Sequence, residues 1–156
     1  AEDDREAGSE ASTEADGGRG RRGDPEGSPR RARGAIPRGM PSDPACVFCR
    51  IVAGELPSRK VLDEPDLVAF HDVRPQAPVH VLVVPREHVP SLWELEDERL
   101  AGRLLGAAAR VARAQALERG WRLIANTRSE GGQEVDHLHL HVLGGRRLGR
   151  MLPPPG

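Results

Sequence analysis

Aromatic residues are scarce: the 156-residue chain has two Phe, two Trp and no Tyr. A core built on stacked rings is excluded, so aliphatic side chains must carry the packing. Lysine is rarer still. Of the 23 Lys and Arg residues all but Lys60 are Arg, a bias that reflects GC-rich codon usage rather than a function. The net charge is −1, which gives no overall field to draw nucleic acid or a membrane surface. No apolar run nears the roughly 18 residues of a membrane span. The opening stretch AEDDREAGSE begins on acids and lacks the apolar segment of a secretory signal. Only two cysteines occur, Cys46 and Cys49, so no disulfide framework is expected and a reduced, cytoplasmic setting fits.

Composition divides the chain near residue 43. Residues 1–43 are rich in Gly, Pro, Ser, Arg and acids, with Ile36 and Met40 as their only large apolar side chains. Such a segment cannot bury enough surface to offset the entropy of ordering, and it is expected to be a disordered tail. It is polarised: residues 1–16 hold seven acids and one Arg, and residues 19–38 hold seven Arg and two acids. A basic arm of this kind could touch nucleic acid, but a solvated tail is the simpler reading. Residues 44–156 form the expected domain.

Within that domain CVFCRIVAG reads as a short helix that Gly54 ends. RKVLDE and LVAFHD form a hairpin through Glu64, Pro65 and Asp66. VHVLVVP is a β-branched run closed by a proline. The stretch from Leu95 to Gly120 reads as one long helix. Its stripe is Leu100, Leu104, Leu105, Ala108 and Val111, acids occupy the first turn at Asp97 and Glu98, and Gly120 is the stop. Arg99, Arg103, Arg110 and Arg113 fall on a solvated face. WRLIAN and HLHLHVL are the last strands. Five strands with one long helix between the third and fourth predict an α+β fold with a mainly antiparallel sheet. Trp93 and Trp121 are expected in the core or at an interface.

The segment GGQEVDHLHLHVLGG, residues 131–145, puts His137, His139 and His141 at every second position. On a strand these share one face, and Leu138, Leu140 and Val142 share the other, toward the core. The outer two histidines are then roughly 13 Å apart, too far for one metal ion to take all three. Flanking glycines let backbone N–H groups approach a phosphate. A neutral imidazole can attack phosphorus and form a covalent ester, and a protonated neighbour can stabilise the developing charge. Three histidines at this period, with His71, His80 and His88 on or beside other strands, point to a site rather than to a solvated sheet face.

These residues resemble the histidine-triad superfamily, whose signature is His-x-His-x-His followed by apolar residues. AFHDVRPQAPVHVLVVPREHV, HVLGGR and the terminal Pro-Pro-Gly resemble its Hint branch of nucleotide-binding proteins. The similarity runs from Cys46 to Gly156. It implies a homodimer joined into one ten-stranded sheet, a bound purine nucleotide, and hydrolysis of nucleoside 5′-phosphoramidates to nucleoside monophosphate and amine. It implies His139 as the nucleophile, His141 on the α-phosphate and His80 completing the imidazole network. Asp72 would take the ribose hydroxyls. Val47, Phe48, Ile51, Phe70 and Val73 would line the base pocket, with Asn126 and the Gly132–Gln133 backbone on the phosphate. No cofactor is implied for the chemistry.

Two departures stand out. Glu134 stands where many Hint proteins carry a Ser thought to protonate the leaving amine; a carboxyl can serve as an acid, yet ionised it repels phosphate. The ending RRLGRMLPPPG has Met151 and Leu152 in place of a Trp. The Cys46-x2-Cys49 pair by itself fits zinc, a disulfide or plain packing. The resemblance implies a structural zinc held by Cys46, Cys49, His88 and His137, a suitable tetrahedral set. Rival functions are a nucleotide-binding module with little turnover, a dinucleoside polyphosphate hydrolase of the same superfamily, and a metal-dependent hydrolase.

Overall fold

The computed structural model describes residues 41–152. The tail expected over 1–43 lies outside them except for its last three residues, and so does the Pro-Pro-Gly ending. Ordered contacts reach back to Pro41, whose carbonyl accepts the His88 amide at 2.7 Å. Asp43 begins the approach to the first helix, α1 (Val47–Val52), with its side chain accepting the Ala45 amide at 2.8 Å. Gly54 follows at φ +81°, a conformation that relieves the helix end without the strain a Cβ would bring.

The strands are β1 (Lys60–Asp63), β2 (Leu67–His71), β3 (Val79–Pro85), β4 (Trp121–Ile124) and β5 (Leu140–Gly144), and the second helix is α2 (Glu98–Ala114). They form one sheet in the order β1-β2-β3-β5-β4, antiparallel at each pairing. This is the α+β architecture expected from the element pattern.

Alternation along the central strands sorts side chains to two layers. Leu67 and Ala69 of β2, Val81 and Val83 of β3, and Leu140 and Val142 of β5 pack against α2 through Leu100, Leu104, Ala107, Ala108 and Val111. Val68, Phe70, Leu82 and Val84 face the other way, onto Phe48, Cys49 and Val52 of α1. Both faces of β3 are covered, which explains its unbroken apolar run.

Two expectations change, and a third, core or interface for the tryptophans, narrows to interface. Leu105 is 55% exposed, because one residue past Leu104 lies about 100° around the helix from the stripe. The helix stops at Ala114, six residues short of Gly120: Ala116 takes φ 53°, its amide bonds Arg113 O, and the Leu117 amide bonds Ala112 O. This is a Schellman ending, with Leu117 buried beneath it and Ala filling the position usually held by Gly. Neither tryptophan joins the core; Trp93 is 73% exposed and lies against the Arg128 guanidinium, and Trp121 is partly exposed on the edge strand β4.

Asp97 proves to be the N-cap of α2, accepting the Arg99 and Leu100 amides at 2.8 and 3.2 Å. Arg86, at the end of β3, is buried. It donates to Glu64 O at 2.6 Å and Val52 O at 3.4 Å and pairs with Asp63, tying the end of α1 to the β1–β2 turn. Arg103 and Arg110 reach from α2 to the acids of the same turn. No helix among the described residues is long and apolar enough to cross a membrane.

Candidate active site

The β-strand assigned to the histidine segment starts at Leu140, three residues later than expected. Ahead of it the backbone turns to other partners: the His137 amide bonds Val135 O at 2.8 Å and the Leu138 amide bonds Val89 O at 2.7 Å. The alternation of faces survives. Leu138, Leu140 and Val142 enter the α2 layer, and the histidines face the α1 side. That side is not solvated: His137 is fully buried and His139 nearly so.

Each imidazole has one nitrogen committed, which fixes its tautomer. His139 Nδ1 lies 2.7 Å from the carbonyl oxygen of His137, so Nδ1 carries the proton and donates it. Nε2 keeps its lone pair. The Gln76 amide donates to His80 Nδ1 at 3.1 Å, so the His80 proton is on Nε2, from which it is donated to His141 Nδ1 at 2.9 Å. The His141 proton is then on Nε2, a buried donor with no protein partner. The outcome is a free base on His139 beside a free donor on His141, their rings 4.8 Å apart. Burial, then the neighbouring His139 and His80 rings, push His141 down to about 4, and burial likewise lowers His80. Both are neutral at pH 7.

These atoms open onto a cleft of about 1500 Å³ on the α1 side of the sheet. That is roomier than a drug-sized ligand needs. Val47, Phe48 and Ile51 of α1, Phe70 of β2 and Val73 beyond it supply apolar wall; Val73 is 90% exposed, so it borders the opening. Phe48 stands edge-on to Phe70, His137 and His139 at 5.8, 5.9 and 5.2 Å. Asp72 lines the cleft with one carboxylate oxygen taken by the Arg74 amide at 2.8 Å and the other 3.5 Å from His80 Nε2.

Across the sheet the wall is Asn126, Gly132 and Glu134. The Asn126 amide donates to Gly132 O at 3.4 Å. A Cβ on Gly131 would fall 2.3 Å from Thr127 O, so only glycine permits this crossing of backbones. Gln133 is off the cleft wall. Its side chain staples the loop, donating to Pro90 O at 2.7 Å and Val135 O at 2.8 Å and accepting the Arg128 amide at 2.8 Å.

The structure thus gathers His80, Glu134, His139 and His141 with the expected apolar residues around one opening. Two parts of the site carry no motif signal: Gln76, whose backbone sets the His80 tautomer, and the segment Leu56–Arg59, which forms a further stretch of wall. His71 also lines the cleft, its pKa lowered by burial and by Arg59.

A second cluster lies behind α1. The ligand atoms of Cys46, Cys49, His88 and His137 are all within 4.8 Å of one another. His137 Nδ1 is 3.4 Å from Cys46 Sγ and 3.5 Å from Cys49 Sγ, and His88 Nδ1 is 3.4 Å from Cys49 Sγ. Zn–S and Zn–N bonds of about 2.3 and 2.0 Å at a tetrahedral angle separate S and N by roughly 3.5 Å, so this spacing fits a shared ion. The His137 Nε2–H donates to Pro85 O at 3.0 Å, leaving Nδ1 free to ligate. The Asp43 amide, 3.4 Å from Cys49 Sγ, suits a thiolate. Burial pushes the Cys49 thiol up to about 11, so without an ion it is protonated and inert. Asp72, His80 and His141 also converge, but there the two facing imidazole nitrogens share one proton, which His80 Nε2 carries and His141 Nδ1 accepts.

Comparison with known proteins places this geometry. A family model described as the HIT domain matches residues 53–148. A purine nucleoside phosphoramidase from Escherichia coli K12 is 42% identical over 113 residues, covering 70% of this chain and 95% of that relative. A crystal structure of a HIT family hydrolase from Legionella pneumophila superposes with a TM-score of 0.64 at 44% identity, covering 71% of this chain and 99% of that one. A histidine triad protein from Clostridium difficile gives 0.67 at 38% identity, covering 70% and 97%.

Proposed function

Because the chain belongs to the HIT domain family, we propose that it hydrolyses purine nucleoside 5′-phosphoramidates to nucleoside monophosphate and amine. The observation that carries this reading is the free His139 Nε2 lone pair beside the unpartnered His141 Nε2–H. The first is a nucleophile and the second a donor for a phosphoryl oxygen. His139 Nε2 attacks phosphorus, and the P–N bond breaks as the N–P bond to the histidine forms. The amine departs with a proton taken from water in the open cleft. A second water then attacks phosphorus, returns that proton to solvent and frees His139 and the monophosphate. His80 holds His141 in the donor tautomer, and Asp72 accepts the ribose hydroxyls. Val47, Phe48, Ile51, Phe70 and Val73 hold the base, and Asn126 with the Gly132 backbone holds the phosphate.

The four-residue cluster is assigned to a structural zinc that fastens α1, and with it one wall of the base pocket, to the sheet. No step of hydrolysis runs through it. A homodimer is part of this reading, supported by the family resemblance.

The test is hydrolysis of adenosine 5′-phosphoramidate by wild type and His139→Ala. Turnover by wild type and a loss of about a hundredfold or more in the variant is expected, in line with the cost of removing a nucleophile. Glu134 favours one other reading, a nucleotide-binding module, because its carboxylate borders the phosphate end of the cleft. That reading predicts AMP binding with negligible turnover.

A further inference from the structure

Glu134 is exposed on the cleft wall, between Gly132 and the histidines. Among the described residues its side chain makes no hydrogen bond and no ion pair, unlike Glu94 and Glu64, which are engaged by arginines. Among the described residues no arginine around the cleft pairs with it. Arg128 is paired with Glu94 at 2.5 Å and lies 4.9 Å over Trp93, and Arg146 donates to Gln76 O at 3.2 Å. Arg59 precedes β1 and Arg74 follows β2; both line the same cleft, and neither makes an ion pair with Glu134. His141 is held neutral and offers no charge.

An unpaired carboxylate on the wall of this cleft disfavours anionic substrates. At about 6 Å a single like-charge pair is worth roughly three- to tenfold in affinity. The opposition reverses for a substrate that brings a positive charge to that end. Resting on the phosphoramidase reading above, we propose that Glu134 selects phosphoramidates whose leaving amine carries a second, cationic group, such as a diamine, over those of neutral alkyl amines. The carboxylate acts as a fixed charge on the leaving group's remote end; the proton on the departing nitrogen comes from water.

The experiment compares kcat/KM for adenosine 5′-phosphoramidates of 1,4-diaminobutane and of butylamine, at low and moderate salt. Wild type is expected to prefer the diamine by about tenfold at low salt, with the ratio shrinking as salt rises. Glu134→Gln brings the ratio near one by slowing the diamine and speeding the alkyl substrate, and Glu134→Lys inverts it. Equal losses on both substrates in Glu134→Gln, with the ratio unchanged, would assign Glu134 to proton transfer and overturn the selection. Turnover of neither substrate by an AMP-binding wild type would overturn the phosphoramidase reading and the selection with it.

Discussion

His137 holds His139 through its backbone, its carbonyl oxygen accepting the Nδ1–H at 2.7 Å, while its own ring points to Cys46 and Cys49. One residue thus belongs to two clusters. The peptide unit sets the tautomer of the proposed nucleophile, and the side chain anchors α1.

Metal removal should therefore be felt in the cleft. Protein purified without an affinity tag is expected to hold about one zinc per chain, and fewer than about 0.2 after gentle purification would count against the site. Chelation or Cys49→Ser should lower the melting temperature by several degrees and weaken AMP binding, since Phe48 lies between Cys46 and Cys49, two of the proposed zinc ligands. Calorimetric titration of AMP with and without chelator checks this.

His141 gives a pH signature in stability. Its folded pKa, about 4, lies below the unfolded value of roughly 6.5. Between those values the unfolded chain binds the extra proton, so stability is full above about pH 6.5 and is lost as pH falls toward 4. Urea unfolding at pH 7 and pH 5 should show wild type losing more stability than His141→Gln over the same interval. Equal losses would mean that burial does not hold the ring neutral.

Arg86 is a buried cation with three partners. Arg86→Ala leaves Val52 O, Glu64 O and Asp63 without it, and a cost of about 3 kcal/mol is expected. Denaturant midpoints measure it. A change under about 0.5 kcal/mol, typical of surface sites, would show that the clamp contributes nothing.

The two adjacent leucines of α2 test the helix register. Leu104→Ala should cost about 3 kcal/mol by opening a cavity, and Leu105→Ala under about 0.5 kcal/mol. Equal costs would mean that Leu105 is covered in solution by another surface.

What the sequence disclosed follows from where its patterns are strict. Period two over residues 137–143 gave the face of each histidine, and the β-branched run 79–85 marked a strand covered on both sides. The end of α2 was hidden because Ala116, not a glycine, takes the left-handed position, and the stabilising burial is that of Leu117. The exposure of Leu105 is hidden because an apolar side chain beside the stripe looks the same in sequence as one within it. Arg86 looked like one more arginine in an Arg-rich chain; only the fold shows that two carbonyls and a carboxylate converge on it. The tautomers depend on backbone groups of Gln76, Pro85 and His137, which carry no side-chain signal at all.

The central claim is that His139 forms a covalent bond to phosphorus. The most direct measurement is the stereochemical course at a phosphorus made chiral by sulfur and labelled oxygen in an adenosine 5′-thiophosphoramidate. Two successive displacements, first by His139 and then by water, predict overall retention of configuration. Inversion would mean a single attack by water and would contradict the nucleotidyl-histidine account.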